Sequence, residues 1–75
     1  MRNEFPLASA KRVAHIAVQA DEAGQHDDAL RIYTSAIELY MKAMRTEPDP
    51  VEAASHRSIV GNLLARAEQL KRIPQ

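Results

Sequence analysis

The chain has 75 residues, no cysteine, ten Lys and Arg residues against ten Asp and Glu residues, and a formal net charge of zero. A chain of this length has room for one hydrophobic core. Its balanced charge and three aromatic residues offer neither the basic face nor the stacking rings that nucleic-acid binding requires. No segment approaches the ~20 apolar residues of a membrane span. We therefore expect one soluble domain that neither binds nucleic acid nor inserts into a membrane, and the absence of cysteine fits a reducing compartment.

Proline and glycine divide the chain into three segments of similar length. Pro6 opens the first segment, Gly24 closes it, and Pro48 and Pro50 separate the second from the third. Because proline suits the first turn of a helix and glycine the residue just past its end, these positions predict helix boundaries. We predict an N-terminal extension at 1–6 and a bundle over 7–73, with helices near 7–23, 27–46 and 51–73.

The apolar residues of each segment recur every three or four positions, as one face of a helix requires. The face of the first helix is mostly alanine, which allows a neighbour to approach closely; it comprises Leu7, Ala10, Val13, Ala14, Ala17 and Ala20. In the second helix the apolar arc covers more than half the circumference, so this helix is predicted to lie between the other two. Short connections make neighbouring helices antiparallel. The predicted fold class is all-α, an antiparallel three-helix bundle.

Charged residues also mark the helix ends. Acidic residues precede the second and third helices, and basic residues lie near their C-termini, which complements the helix dipole. We predict that Asp27 caps the second helix. For the third helix we predict an Asp49 cap, Pro50 in the first turn and Glu52 as the acid of a capping box.

The second and third helices carry more apolar residues than a minimal bundle needs. On the third helix, Val60, Leu64 and Ile73 form a row beside the core stripe of Ile59, Leu63, Ala67 and Leu70. On the second helix, Ile32, Leu39 and Ala43 flank the central stripe. If these two rows face each other, they form a groove suited to a partner helix. Ordinary core packing is the alternative interpretation of Val60 and Leu64.

Residues that could perform chemistry are few. His15, His26 and His56 share no metal-ligand spacing, and no serine or threonine lies in a nucleophile motif. We therefore predict no metal, no cofactor and no catalytic residue, and we expect the domain not to be an enzyme. Gly61, inside the third segment, is either a tolerated helix defect or a point where another backbone approaches closely.

Two stretches of sequence carry a family resemblance. Residues 21–40, DEAGQHDDALRIYTSAIELY, resemble the helix-turn-helix start that tetratricopeptide repeats and MIT (microtubule interaction and trafficking) domains share. The second helix then runs past the point where a tetratricopeptide repeat ends. The segment 63–71, LLARAEQLK, resembles the third-helix signature of MIT domains. The resemblance to the MIT family covers residues 7–73.

This resemblance implies a non-catalytic module that binds the C-terminal tails of ESCRT-III subunits and recruits a host protein to endosomal membranes for sorting or membrane scission. In one family mode a helical tail lies between the second and third helices. By resemblance Leu64 would line its pocket and Glu68 would pair with a basic residue of the tail, although Ala65 replaces an acid found in several members. The expected peptide-binding residues are therefore Ile32, Leu39, Ala43, Val60, Leu64 and Glu68.

Other possibilities remain open at this point. In a second family mode an extended tail lies between the first and third helices, beside Ala10, Ala14 and Ala17. The exposed apolar row could instead form a self-assembly seam or dock within a host protein, although we expect the isolated domain to be a monomer. A fragment of a tetratricopeptide array would fold poorly without neighbouring repeats.

Overall fold

A computed structural model describes residues 5–73 of the chain. It contains three α-helices: α1 spans Phe5–Glu22, α2 spans His26–Thr46 and α3 spans Pro50–Lys71. The described part of the chain contains no strand, which confirms the all-α prediction. Residues 1–4 of the predicted extension lie outside the described residues, and residues 5 and 6 belong to α1.

The turn between α1 and α2 depends on Gly24. Gly24 has a φ of +81°, a left-handed conformation that side chains other than glycine rarely adopt. Its N–H donates to the Asp21 carbonyl at 3.0 Å, and the Gln25 N–H donates to the Ala20 carbonyl at 2.9 Å. These two bonds form a Schellman motif, which satisfies carbonyls at the end of α1. Gly24 is thus the helix stop that the sequence predicts.

The N-terminal cap of α2 differs from the prediction. The helix begins at His26, so Asp27 lies within its first turn rather than at the cap position. Gln25 occupies the cap position and makes no side-chain capping bond. The Schellman motif fixes the backbone through Gln25, and the helix therefore starts one residue before the predicted position. The carboxylates of Asp27 and Asp28 still face the positive end of the helix dipole.

The start of α3 follows the prediction in part. The Asp49 carboxylate accepts a hydrogen bond from the Val51 N–H at 2.9 Å, and Pro50 occupies the first helical turn. The reciprocal bond comes from a different acid than expected, because the Asp49 N–H donates to Glu47 Oε2 at 3.0 Å. Glu52 instead approaches His56, with 4.0 Å between Oε1 and Nε2. The cap is confirmed, and the capping-box role of Glu52 was wrong.

Helix α2 is the centre of the bundle. It packs against both α1 and α3, whereas no Cα atom of α1 lies within 8 Å of a Cα atom of α3. Alanines on α1 pack against it, with Ala10 and Ala17 fully buried. The larger core side chains come from α2 and α3, including Tyr33, Tyr40 and Leu70. The predicted central position of the second helix is thus confirmed.

Candidate functional site

Leu64 is an exposed apolar residue of α3 that lies next to the core stripe of that helix. Its exposed fraction is 46%, whereas Val60, one turn earlier, is 8% exposed and belongs to the core. A leucine kept in water beside a packed core gains nothing for the isolated fold. Burying it against a partner would release about 1–2 kcal/mol.

Two further residues of α3 lie close to Leu64 along the helix. Glu68 follows it by one helical turn, is exposed, and has its Oε2 3.4 Å from Lys71 Nζ. Exposed ion pairs of this kind contribute little to stability, so Glu68 can exchange partners at small cost. Ala65 is also exposed and adds no charge. Leu64 and Glu68 therefore present one apolar and one acidic group on the same side of α3.

The predicted α2 residues lie on the other side of that helix. Ile32 lines a surface pocket together with Ile16 and Ala20 of α1, so its side of α2 faces α1 and not α3. Leu39 and Ala43 follow Ile32 by seven and eleven residues and share its side of the helix. Leu39 packs partly buried against the core, and Ala43 is buried. The structure therefore does not bring these three residues together with Leu64.

The opposite flank of α2 carries the apolar residues that can accompany Leu64. Leu30, Ile37 and Met41 lie on this flank by helical spacing, on the side of α2 turned away from Ile32. Met41 has an exposed fraction of 45% and lines a shallow pocket of about 280 Å³ with Glu38, Lys42 and Arg45. The sequence showed both apolar flanks of α2. It did not show which one faces α3.

A polar cluster joins all three helices and was missed by the sequence analysis. Asp21 of α1 accepts two hydrogen bonds from Arg66 of α3, each 2.7 Å long, and one from the Tyr33 hydroxyl of α2 at 3.0 Å. The hydrogen bonds from Arg66 lower the pKa of Asp21. Burial and the bond to Asp21 raise the pKa of Tyr33 to about 12. This cluster fixes the bundle and leaves the carboxylate fully engaged, so it offers no reactive group.

His56 is a buried polar residue of α3. Its side chain lies within the core with Nδ1 lacking a hydrogen-bond partner, and its ring centroid is 6.1 Å from that of Tyr40. No group of three or more His, Cys, Asp or Glu residues within 5–73 is arranged to hold a metal ion. None of the three helices described is long and apolar enough to cross a membrane.

The comparison with protein families identifies this bundle. The family model of the MIT (microtubule interacting and transport) domain matches residues 7–72. The chain belongs to the MIT domain family. MIT domains are non-catalytic modules that bind peptide motifs of partner proteins. The bundle has a buried core and also exposes large apolar side chains, which a bound peptide could cover.

Two relatives that the chain matches are protein kinases. The chain is 38% identical over 65 residues to the serine/threonine-protein kinase ULK3 of Xenopus laevis. The matched segment covers 87% of this chain and 14% of the kinase. It is 33% identical over 67 residues to ULK3 of Mus musculus, covering 89% of this chain and again 14% of the kinase. The chain thus spans about one seventh of these relatives. No solved structure matches the chain.

Proposed function

We propose that this MIT domain binds the C-terminal tails of ESCRT-III-type subunits and recruits a longer protein, from the cytoplasm, to endosomal membranes for sorting or scission. The family membership supports a peptide-binding role. The observation that carries the proposal is the 46% exposure of Leu64 in the middle of α3, directly beside the buried row of the core. An amphipathic tail helix would cover this side chain with its own apolar face.

The tail is proposed to lie along the groove between α2 and α3. Its apolar side chains would contact Leu64 on one wall and Met41 on the other, with Val60 and Ile37 forming the floor between them. The Glu68 carboxylate would exchange its contact with Lys71 for an ion pair with a basic residue of the tail. Ile32, Leu39 and Ala43, which lie toward α1, are replaced in this proposal by the opposite flank of α2.

A titration calorimetry experiment tests the proposal. A synthetic leucine-rich ESCRT-III tail peptide is titrated into the wild-type chain and into the Leu64→Asp variant. Loss of one apolar anchor costs about 1–3 kcal/mol, so we expect the variant to bind at least about tenfold more weakly. Val51→Asp is the matched control, because Val51 is 73% exposed at the start of α3 and lies outside the groove.

The outcomes separate binding from folding. Circular dichroism should show both variants to be as helical as the wild type, since both side chains are exposed. Equal affinities of the wild type and Leu64→Asp would exclude the α2–α3 groove. No binding by any tail peptide, with the fold intact, would overturn the tail-binding function. A wild type that dimerises through Leu64 would favour the self-assembly alternative.

A further inference from the structure

A second apolar depression lies between α1 and α2, on the flank of α2 away from the proposed tail groove. It is an open pocket of about 350 Å³. Ile16, Ala20 and Ile32 supply its apolar surface, and Gln19, Gln25, Asp28 and Arg31 surround them. Ile16 is 44% exposed, so the pocket wall presents a large aliphatic side chain to water.

The arginines near this pocket have unpaired hydrogen-bond donors, whereas the carboxylate that lines it is paired. Arg31 is largely exposed and pairs with Asp28 through a single nitrogen, which leaves other guanidinium N–H donors free. Arg12 precedes Ile16 by one turn of α1, is exposed, and has no ion-pair partner among the described residues. The pocket's one carboxylate, Asp28, is already engaged by Arg31. Arg31 lines the pocket and Arg12 lies one helical turn before Ile16, so two arginines with free donors lie beside the apolar surface, and the carboxylate that lines the pocket is already paired.

We propose that this pocket is a second docking surface, which takes an aliphatic side chain flanked by acidic residues from a helical segment of a partner protein. The apolar side chain would cover Ile16 and Ile32, and the acidic residues would meet Arg12 and Arg31. Arginine is suited to this contact because its fork binds carboxylates through two parallel hydrogen bonds. The surface lies on the opposite flank of α2 from Leu64, so both surfaces can be occupied at the same time.

A pair of short helical peptides tests this surface. One peptide has leucines along one face with glutamates beside them, and the other has lysines in place of the glutamates. Each is titrated into the isotope-labelled chain while amide shifts are recorded by NMR. We expect the acidic peptide to shift residues around Ile16, Ala20 and Ile32 in a saturable way, and to bind at least about tenfold more tightly than the basic peptide.

Variants of the chain distinguish this surface from the tail groove. Ile16→Asp and Arg12→Glu should each weaken binding of the acidic peptide at least about fivefold. Val18→Asp is the matched control, because Val18 is a similarly exposed aliphatic residue of α1 that does not line the pocket. Neither Val18→Asp nor Leu64→Asp should change this affinity. The result is independent of whether tails bind beside Leu64.

Several results would overturn the proposal. Equal binding of the two peptides would remove the acidic preference, and shifts confined to the surroundings of Leu64 would place the peptide in the other groove. An absence of shifts with a well-folded chain would leave the pocket without the proposed partner. Concentration-dependent broadening that Ile16→Asp abolishes would show that a second copy of the chain covers it.

Discussion

Arg66 of α3 donates two parallel hydrogen bonds to Asp21 of α1, from Nε to Oδ2 and from Nη2 to Oδ1, both 2.7 Å long. The two residues are 45 positions apart, and they join helices whose Cα atoms do not come within 8 Å of each other. The third nitrogen of the guanidinium, Nη1, donates to Gln69 Oε1 at 2.9 Å. Arg66 is therefore held by its own helix while it fixes the end of α1.

The stability of the bundle should depend on the ionisation of Asp21. Its pKa is lowered by the hydrogen bonds from Arg66 below the ordinary value of 3.8. A lowered pKa means that the ionised carboxylate stabilises the fold above pH 3.8, and that this contribution is lost as the pH falls through the lowered pKa. Asp21→Asn should reduce the urea midpoint at neutral pH, and the difference from the wild type should shrink below pH 3.8.

Glu22→Gln is the matched control for that experiment, because Glu22 is the exposed neighbour of Asp21 and belongs to no ion pair in the described part of the chain. Its urea midpoint should follow that of the wild type closely. A difference between wild type and Asp21→Asn that stays constant from neutral pH to below pH 3.8 would contradict the role of the ionised carboxylate.

Tyr33 should resist ionisation until strongly alkaline pH. Burial and the hydrogen bond to Asp21 raise its pKa from 10.0 to about 12. The protonated phenol therefore stabilises the fold below pH 10, and this contribution is lost as the pH rises through about 12. In a Tyr40→Phe variant, where Tyr33 is the remaining tyrosine, the ultraviolet absorbance of tyrosinate should have its midpoint near 12. A midpoint near 10 with the chain still folded would contradict this assignment.

The two glycines should respond to alanine in opposite directions. A Cβ atom added at Gly61 would meet nothing within 4 Å, so Gly61→Ala should raise the free energy of unfolding by about 1 kcal/mol through better helix propensity. Gly24→Ala also meets open space, but its φ of +81° is strained for alanine. It should lower the free energy of unfolding by about 1–2 kcal/mol. Urea unfolding of both variants measures the contrast, and destabilisation by Gly61→Ala would contradict it.

The cap of α3 gives another prediction. Asp49→Ala removes the side-chain acceptor for the Val51 N–H and should lower the free energy of unfolding by about 1 kcal/mol. Glu52→Gln tests the role assigned to the other acid. Because Glu52 makes no capping bond, this variant should leave the cap intact and cost less than Asp49→Ala. Equal decreases in Tm for the two variants would show that Glu52 also contributes to the cap.

The sequence predicted the features that depend on one helix at a time. The alanine face of α1, the broad apolar arc of α2, the stop at Gly24 and the cap at Asp49 follow from local spacing and local hydrogen bonds. These signals repeat every turn or lie within a few residues. They are therefore readable without knowing how the helices are arranged.

The features that the sequence did not define depend on how one helix is rotated against another. Ile32 was expected beside α3 because both flanks of α2 are apolar, and only the packing of α1 decides between them. The meeting of Asp21, Tyr33 and Arg66 requires three helices to converge at one end, which no short-range spacing encodes. Leu64 was placed on the groove by its family resemblance, and its exposure is the structural fact that supports it.

An NMR titration of the labelled chain tests tail binding beside Leu64 directly. It uses two ESCRT-III tail peptides, one helical and rich in leucine, the other extended and containing proline. With the helical peptide, we predict saturable amide shifts around Met41, Val60 and Leu64 that disappear in Leu64→Asp. Shifts confined to the facing sides of α1 and α3, or none with either peptide, would contradict the α2–α3 groove as the site where this MIT domain binds its partner.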